Sequence, residues 1–252
     1  MQTIAELLAQ ELSCKQEYIE NVIQLLDEGN TIPFIARYRK EAHGAMDDTA
    51  LRTLETRLQY LRNLAQRREE VKASIAAQDK LTDALAAAID EAKTLAEVED
   101  LYRPYKPKRR TRATMAKEKG LEPLAAQTMK MDAPEALAQA YLDPEKGVET
   151  IEDALAGASD ILAERISDDA AVRKSLRALM DRRGTAQSAA AGEENEKTAV
   201  YRQYFDFSQP VSRLQSHQIL ALNRGEREGA LKVSLTVDRD EALQCIRRGV
   251  VK

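Results

Sequence analysis

The chain has 252 residues and a formal net charge of −4, and 32% of its residues are charged. Aromatic residues make up only 4% and Trp is absent, so the core must consist of aliphatic side chains, which favours packed helices over a β-sandwich. The low Gly and Pro content excludes a low-complexity chain, and no stretch approaches the roughly 18 apolar residues of a membrane span. The two cysteines, Cys14 and Cys245, are far apart in sequence, which predicts reduced thiols in a cytoplasmic protein.

Helix-start signals and leucine spacing dominate the first part of the chain. Thr3-x-x-Glu6 is a capping box, Ser13 is expected to open a second helix, and Gly29 stands where that helix should stop. A long helix is predicted from Asp47 or Asp48 to about residue 78, and a helix capped by Thr82 returns along it. Residues 47–92 are therefore predicted to form a long helical hairpin.

Helices are also predicted through most of the second half. The spacing favours a long helical region from Thr150 to Gly184 with a restart at Ser167, and residues 185–195 read as a mobile connection. A Tyr/Phe-rich helix is expected over 197–207, and residues 230–237 form the best strand, with partners elsewhere or beyond Lys252. We expect a mainly α, elongated multi-helix array with this minor strand, divided into domains 1–125 and 126–252.

A basic segment over residues 102–119 contains eight cations and one acid. Two prolines keep its first part out of a helix, and Tyr102 and Tyr105 alternate with the cations. Three interpretations remain open: contact with nucleic-acid phosphates, docking on the acidic region 143–169, and plain solvation. The candidate nucleic-acid-binding residues in this segment are Arg103, Lys106, Lys108, Arg109, Arg110, Arg112, Lys117 and Lys119.

A second candidate site lies in the segment TIPFIARYRKE (residues 31–41). Its cations Arg37, Arg39 and Lys40 could extend the basic surface. Alternatively Arg37 pairs with Glu41 at helical spacing, and this structural interpretation is favoured.

The sequence offers little for catalysis. Only two histidines exist, His43 and His217, which makes a histidine-based metal cage improbable, and His217 is expected to pack as a hydrogen-bonded residue. Asp240 is expected to cap a helix after the predicted strand, although Asp238 nearby raises the weaker possibility of a nuclease carboxylate. No phosphate-binding glycine motif or zinc motif occurs, so the sequence predicts no catalytic, metal or cofactor site.

Four segments together resemble the Tex family of bacterial transcription accessory proteins: TIPFIARYRKE, DLYRPYKPKRRTRATMAKEKGLEPLA, YFDF and SHQILALNRGEREG. The resemblance runs along the whole chain, with one departure at Gln218, where the family more often has Arg. It implies an elongated, mostly helical, multidomain protein with a helix-turn-helix-like N-terminal unit. It also implies relationship to a eukaryotic elongation factor that binds histones and RNA polymerase II. The family continues with an RNase-H-like domain, helix-hairpin-helix motifs and an OB-fold RNA-binding domain, so this chain would be about the first third.

The leading hypothesis is a non-enzymatic scaffold of a transcription accessory factor that contributes to nucleic-acid binding through its basic residues. The alternative is a protein-interaction module that docks to RNA polymerase or other transcription proteins without a nucleic-acid contact of its own. Neither hypothesis includes a membrane or a small-molecule substrate.

Overall fold

Helices predominate in the computed structural model, which describes residues 2–129, 134–193, 196 and 198–250. One small antiparallel sheet accompanies them, so the predicted mainly α fold class is confirmed. The chain divides into two units, Met1–Tyr102 and Arg103–Lys252, which we call the N-terminal and C-terminal units. No helix among the described residues is long and apolar enough to cross a membrane.

The N-terminal unit consists of helices that begin at side-chain caps. Thr3 and Glu6 form the predicted capping box, and Asp47 and Thr82 cap the two hairpin helices. The prediction that Ser13 opens the second helix is wrong, because Ser13 lies in a turn with φ +53° and the helix begins after Lys15. The helices are α1 (Ile4–Glu11), α2 (Gln16–Asp27), α3 (Ile32–Tyr38), α4 (Asp48–Ala76), α5 (Asp83–Glu91) and α6 (Leu95–Tyr102).

The long helix α4 supplies one side of the core along its whole length. Its leucine stripe is buried against α1, α2 and α3, as the heptad spacing predicted. Towards its C-terminal end α4 is paired with α5: Lys72 Nζ lies 2.8 Å from an Asp90 carboxylate oxygen, and Arg68 donates to the Ala92 carbonyl at 2.6 Å. Those two pairs make α4 and α5 antiparallel, which is the hairpin predicted over residues 47–92.

The first half of the C-terminal unit packs short helices on α10. Gly157 on α10 lets the Leu121 side chain pack close to the helix backbone, because a Cβ at this position would lie 2.4 Å from that side chain. The predicted restart at Ser167 is wrong by two residues, because Asp169 accepts from the Val172 amide and caps the next helix. The helices of this unit are α7 (Arg112–Glu118), α8 (Glu122–Thr128), α9 (Pro134–Ala138), α10 (Ile151–Asp168), α11 (Ala170–Arg183), α12 (Ser216–Arg227) and α13 (Arg239–Val250).

A three-stranded sheet lies in the second half of this unit, in the order β2-β1-β3 with antiparallel pairs. The strands are β1 (Thr185–Ala190), β2 (Asp206–Pro210) and β3 (Leu231–Thr236). The strand predicted at 230–237 is therefore present, but its partners lie within the chain. The mobile connection predicted over 185–195 is wrong for residues 185–190, and the helix predicted over 197–207 is replaced by a 3-10 turn (Ala199–Tyr204) followed by β2. Residues 194, 195 and 197 of these two predictions lie outside the described residues.

One face of the sheet is packed on aromatic and aliphatic side chains. Ala186 and Ser188 of β1 point to this face, and the Ser188 hydroxyl donates to the Tyr204 carbonyl at 2.7 Å. The core there comprises Tyr201, Tyr204, Leu222, Ala230 and Leu231. His217 is exposed on α12, so the prediction that it packs as a hydrogen-bonded residue is wrong.

Candidate nucleic-acid interface

The basic segment contains several types of secondary structure in succession. Helix α6 ends at Tyr102, immediately before the proline-containing stretch, as predicted. A 3-10 turn (Arg103–Tyr105) and an extended stretch follow, and Arg112 begins α7. We call residues 103–111 the strap.

The strap is held on an acidic row along α10. Asp160, Glu164 and Asp168 follow one another at four-residue spacing and therefore share one side of the helix. The Arg103 guanidinium donates to one Asp168 oxygen at 3.0 Å, and the Lys108 ammonium contacts the other. The Asp168 side chain is only 12% exposed, whereas its partners Arg103 and Lys108 remain 46% and 31% exposed.

Helix α7 extends the same set of contacts. The Lys117 ammonium lies 3.4 Å from Glu164, and the Thr111 hydroxyl donates to Glu164 at 3.0 Å. Arg112 is 3.6 Å from Asp160 but remains 82% exposed. At the end of this segment, Lys119 donates to the Gly147 carbonyl at 2.7 Å.

The outer side of the strap remains cationic and open to solvent. Arg110 pairs with Glu118 at 2.7 Å, yet its side chain is 68% exposed. Arg109 is exposed and has no ion-pair or hydrogen-bond partner among the described residues. Lys106 is also exposed. The segment therefore has an inner set of cations neutralised by α10 and an outer set facing water.

The second predicted cluster lies at the end of α3 and in the turn after it. The preferred pairing of Arg37 with Glu41 is wrong, because α3 ends at Tyr38 and the helical spacing is not kept. Arg39 is the residue near Glu41, at 3.9 Å, and both side chains are largely exposed. Arg37 and Lys40 are exposed and have no ionic partner within the described ranges.

Sequence reasoning missed two aromatic side chains in this cluster. Phe34 is 38% exposed and Tyr38 is 62% exposed, and their ring centroids lie 5.3 Å apart. Their i, i+4 spacing beside three cations was the signal that could have identified them.

The residues considered for catalysis do not come together. His43 is buried in the N-terminal unit, whereas His217 is on the exposed side of α12 in the C-terminal unit. The predicted cap at Asp240 is wrong, because Asp238 accepts from the Glu241 amide at 2.9 Å and caps α13. Within the described part of the chain, no three His, Cys, Asp or Glu side chains gather in an arrangement that could hold a metal ion.

Comparison with known proteins places these elements in a family. The family model for the Tex-like protein N-terminal domain matches residues 2–76, and the Tex central region-like model matches residues 129–249. The protein YdcI of Bacillus subtilis is 45% identical over 97% of this chain. The chain belongs to the Tex-like family. The resemblance found in its four sequence segments is thereby confirmed.

Other relatives of this Tex-like chain have functional names. The transcriptional accessory protein Tex of Neisseria gonorrhoeae is 44% identical over 94% of the chain. The human S1 RNA-binding domain-containing protein 1 is 31% identical over 93% of the chain. The chain spans only part of each: 35% of YdcI, 31% of the Neisseria protein and 24% of the human protein.

Proposed function

We propose that this Tex-like chain is a non-enzymatic helical scaffold of a cytoplasmic transcription factor, and that it contributes a sequence-independent contact to nucleic-acid phosphates. The names of the Neisseria and human relatives support an association with transcription and RNA. The proposal rests on one observation: Arg109 and Arg110 are exposed to solvent on a strap whose cations Arg103 and Lys108 are bound to α10.

The inner contacts of the strap and of α7 serve to position the strap. Arg103 and Lys108 converge on Asp168, and Lys117 contacts Glu164, so these cations are already neutralised within the protein. A strap fixed in this way loses less conformational entropy on binding than a free loop.

The outer cations have the properties that phosphate binding requires. Arg109 is unpaired among the described residues, and Arg110 and Arg112 are held only in exposed ion pairs. Exposed ion pairs contribute about 0–1 kcal/mol, so a phosphate can replace the carboxylate at little cost. Binding of several phosphates releases counterions and makes affinity fall with salt. We assign the contact to Lys106, Arg109, Arg110 and Arg112, with Arg37, Arg39 and Lys40 as a second cationic cluster.

The salt dependence of binding tests this assignment. Nucleic-acid affinity is measured by fluorescence anisotropy at several salt concentrations for the chain and for a triple variant with Arg109, Arg110 and Arg112 replaced by Ala. The slope of log affinity against log salt should become shallower by about 2–3, because each phosphate contact contributes about 0.7–0.9. Lys117→Ala is the matched control, because it removes a cation already paired with Glu164 and should change the slope little. An unchanged slope in the triple variant would show that the strap and the start of α7 do not contact phosphates.

A second function is favoured by the inner half of the same contacts. Because α10 neutralises several cations of the basic segment, the segment could be wholly structural and the chain a protein-interaction module for RNA polymerase or other transcription proteins. Capture of purified RNA polymerase by the immobilised chain, with no binding of RNA or DNA, would favour this function.

A further inference from the structure

We propose that α3 carries a base-stacking platform for single-stranded nucleic acid, formed by Phe34 and Tyr38. This inference rests on the proposed nucleic-acid function and specifies its ligand class. It concerns the N-terminal unit, whereas the strap belongs to the C-terminal unit.

Helix α3 is fixed by one face and presents aromatic rings on the other. Ile32 is 2% exposed and Ile35 is fully buried, and both pack into the core with the leucines of α4. Phe34 and Tyr38 are one helical turn apart on the solvent-exposed side of α3. The two rings contact each other with their planes tilted by 45°. The platform is therefore rigid at its base and already assembled before any ligand binds.

The exposure of these rings distinguishes them from other aromatic side chains in the N-terminal unit. The Arg57 guanidinium lies 4.9 Å from the centre of the Tyr60 ring, and Arg67 lies 5.6 Å from that of Tyr102. Among the described residues no cation covers Phe34 or Tyr38. Two adjacent large aromatic side chains with open faces represent apolar surface that a ligand can cover.

Cations flank the platform and determine the charge of its ligand. Arg37 lies between the two aromatic residues in sequence, and Arg39 and Lys40 follow them directly. Among the described residues, the ion pair of this group joins Arg39 to Glu41 at 3.9 Å, and both side chains are largely exposed. Unlike the inner strap cations, Arg37 and Lys40 have no ionic partner within the described ranges, so their charge is available to an anion.

Open aromatic faces combined with unpaired cations match single strands better than duplexes. Stacking requires a base whose face is exposed, and a duplex hides its base faces inside the helix. Phosphates of the same strand can then be neutralised by the flanking cations. The platform should accept RNA and single-stranded DNA alike, since both offer exposed base faces and a phosphate backbone.

Tryptophan fluorescence can report stacking at this position directly. The chain contains no Trp, so Tyr38→Trp introduces a single emitter on the platform. Addition of an unlabelled oligonucleotide of about 16 nucleotides should quench this emission, because a base stacks on the indole ring. The same sequence as a duplex should leave the emission nearly unchanged. Equal quenching by both forms, or none by the single strand, would overturn the proposal.

Affinity measurements separate stacking from charge. Phe34→Leu together with Tyr38→Leu should weaken single-strand binding by about tenfold and duplex binding little, because stacking on aromatic residues is lost. Phe34→Tyr with Tyr38→Phe keeps both rings and should retain wild-type affinity. Circular dichroism establishes that each variant is folded, as expected for exposed side chains.

The outcomes distinguish this inference from the proposed function. If the leucine variant binds single strands as tightly as the wild type while binding still falls with salt, the platform is refuted and the phosphate contact stands. If the chain binds neither single strands nor duplexes at low salt, both proposals fail.

Discussion

Asp168 is predicted to be the main anchor of the strap, and Asp168→Asn tests this role. The substitution keeps the size of the side chain and removes its negative charge. Arg103 and Lys108 both contact this carboxylate, so both lose their charged partner together. Asp160→Asn is the matched control on the same helix, because Asp160 lies 3.6 Å from the highly exposed Arg112.

The magnitude follows from burial. Hydrogen bonds to charged groups contribute about 1.5–3 kcal/mol, but the Arg103 side chain is 46% exposed and its contribution is screened. We expect Asp168→Asn to destabilise the docked strap by about 1–2 kcal/mol, which raises the population of the open strap roughly tenfold. Asp160→Asn should cost less than about 0.5 kcal/mol because its ion pair is exposed.

Limited trypsin digestion measures this opening, since the strap contains Lys108, Arg109 and Arg110 and cleavage requires the segment to leave its binding surface. When opening is fast relative to cleavage, the cleavage rate follows the open population. Asp168→Asn should therefore be cut in the strap about tenfold faster than the wild type, with Asp160→Asn close to wild type. Equal cleavage of the two variants would refute the anchoring role of Asp168.

Three further predictions concern the stability of the N-terminal unit, each measured by thermal unfolding. Arg57 donates to Glu11 and lowers the pKa of that carboxyl, so the contribution of the pair is present at neutral pH and is lost as pH falls through the lowered pKa. Glu11→Gln should lower the Tm by a few degrees or less at pH 7, and this difference should shrink as pH falls through the lowered pKa of Glu11, whereas a constant difference would contradict the linkage. Gly44→Ala should cost about 2–4 kcal/mol, because φ is +59° and the new Cβ would lie 2.3 Å from the Tyr18 ring; an unchanged Tm would show that the ring moves freely. His43 is 2% exposed with neither ring nitrogen hydrogen-bonded among the described residues, so His43→Leu should keep or raise the Tm, and a large loss would reveal a polar partner.

Sequence patterns predicted the helices well where capping and burial act together. The α4 stripe from Leu51 to Leu64 was visible because each leucine packs on the same side of a long helix. Thr150 and Asp153 form the capping box expected at the start of α10. Both features depend on residues close in sequence, and sequence periodicity predicts structure only over such short separations.

The sheet was missed because its central strand contains little hydrophobic signal. Inward positions of β1 are occupied by Ala186 and Ser188, whose small side chains fit beneath the neighbouring aromatic residues. Their burial depends on β2 and β3, which lie far away in sequence. The residues around Tyr201 and Tyr204 looked helical by composition, yet their packing against α12 and β3 requires only a 3-10 turn before β2.

The ion pairs of the candidate interface could not be predicted from the sequence for the same reason, because they join residues far apart in the chain. Charge counting identified a basic segment and an acidic region, but it could not determine which cations face which acids, because the contacts join residues 47–65 positions apart. The four-residue spacing of Asp160, Glu164 and Asp168 becomes meaningful only when the strap is seen to lie along that side of α10. Within the basic segment, those acids neutralise the inner cations, and the outer arginines remain exposed to solvent. The proposed nucleic-acid surface of this chain is therefore defined by cations that are unpaired or held only in exposed ion pairs, and not by the density of lysines and arginines alone.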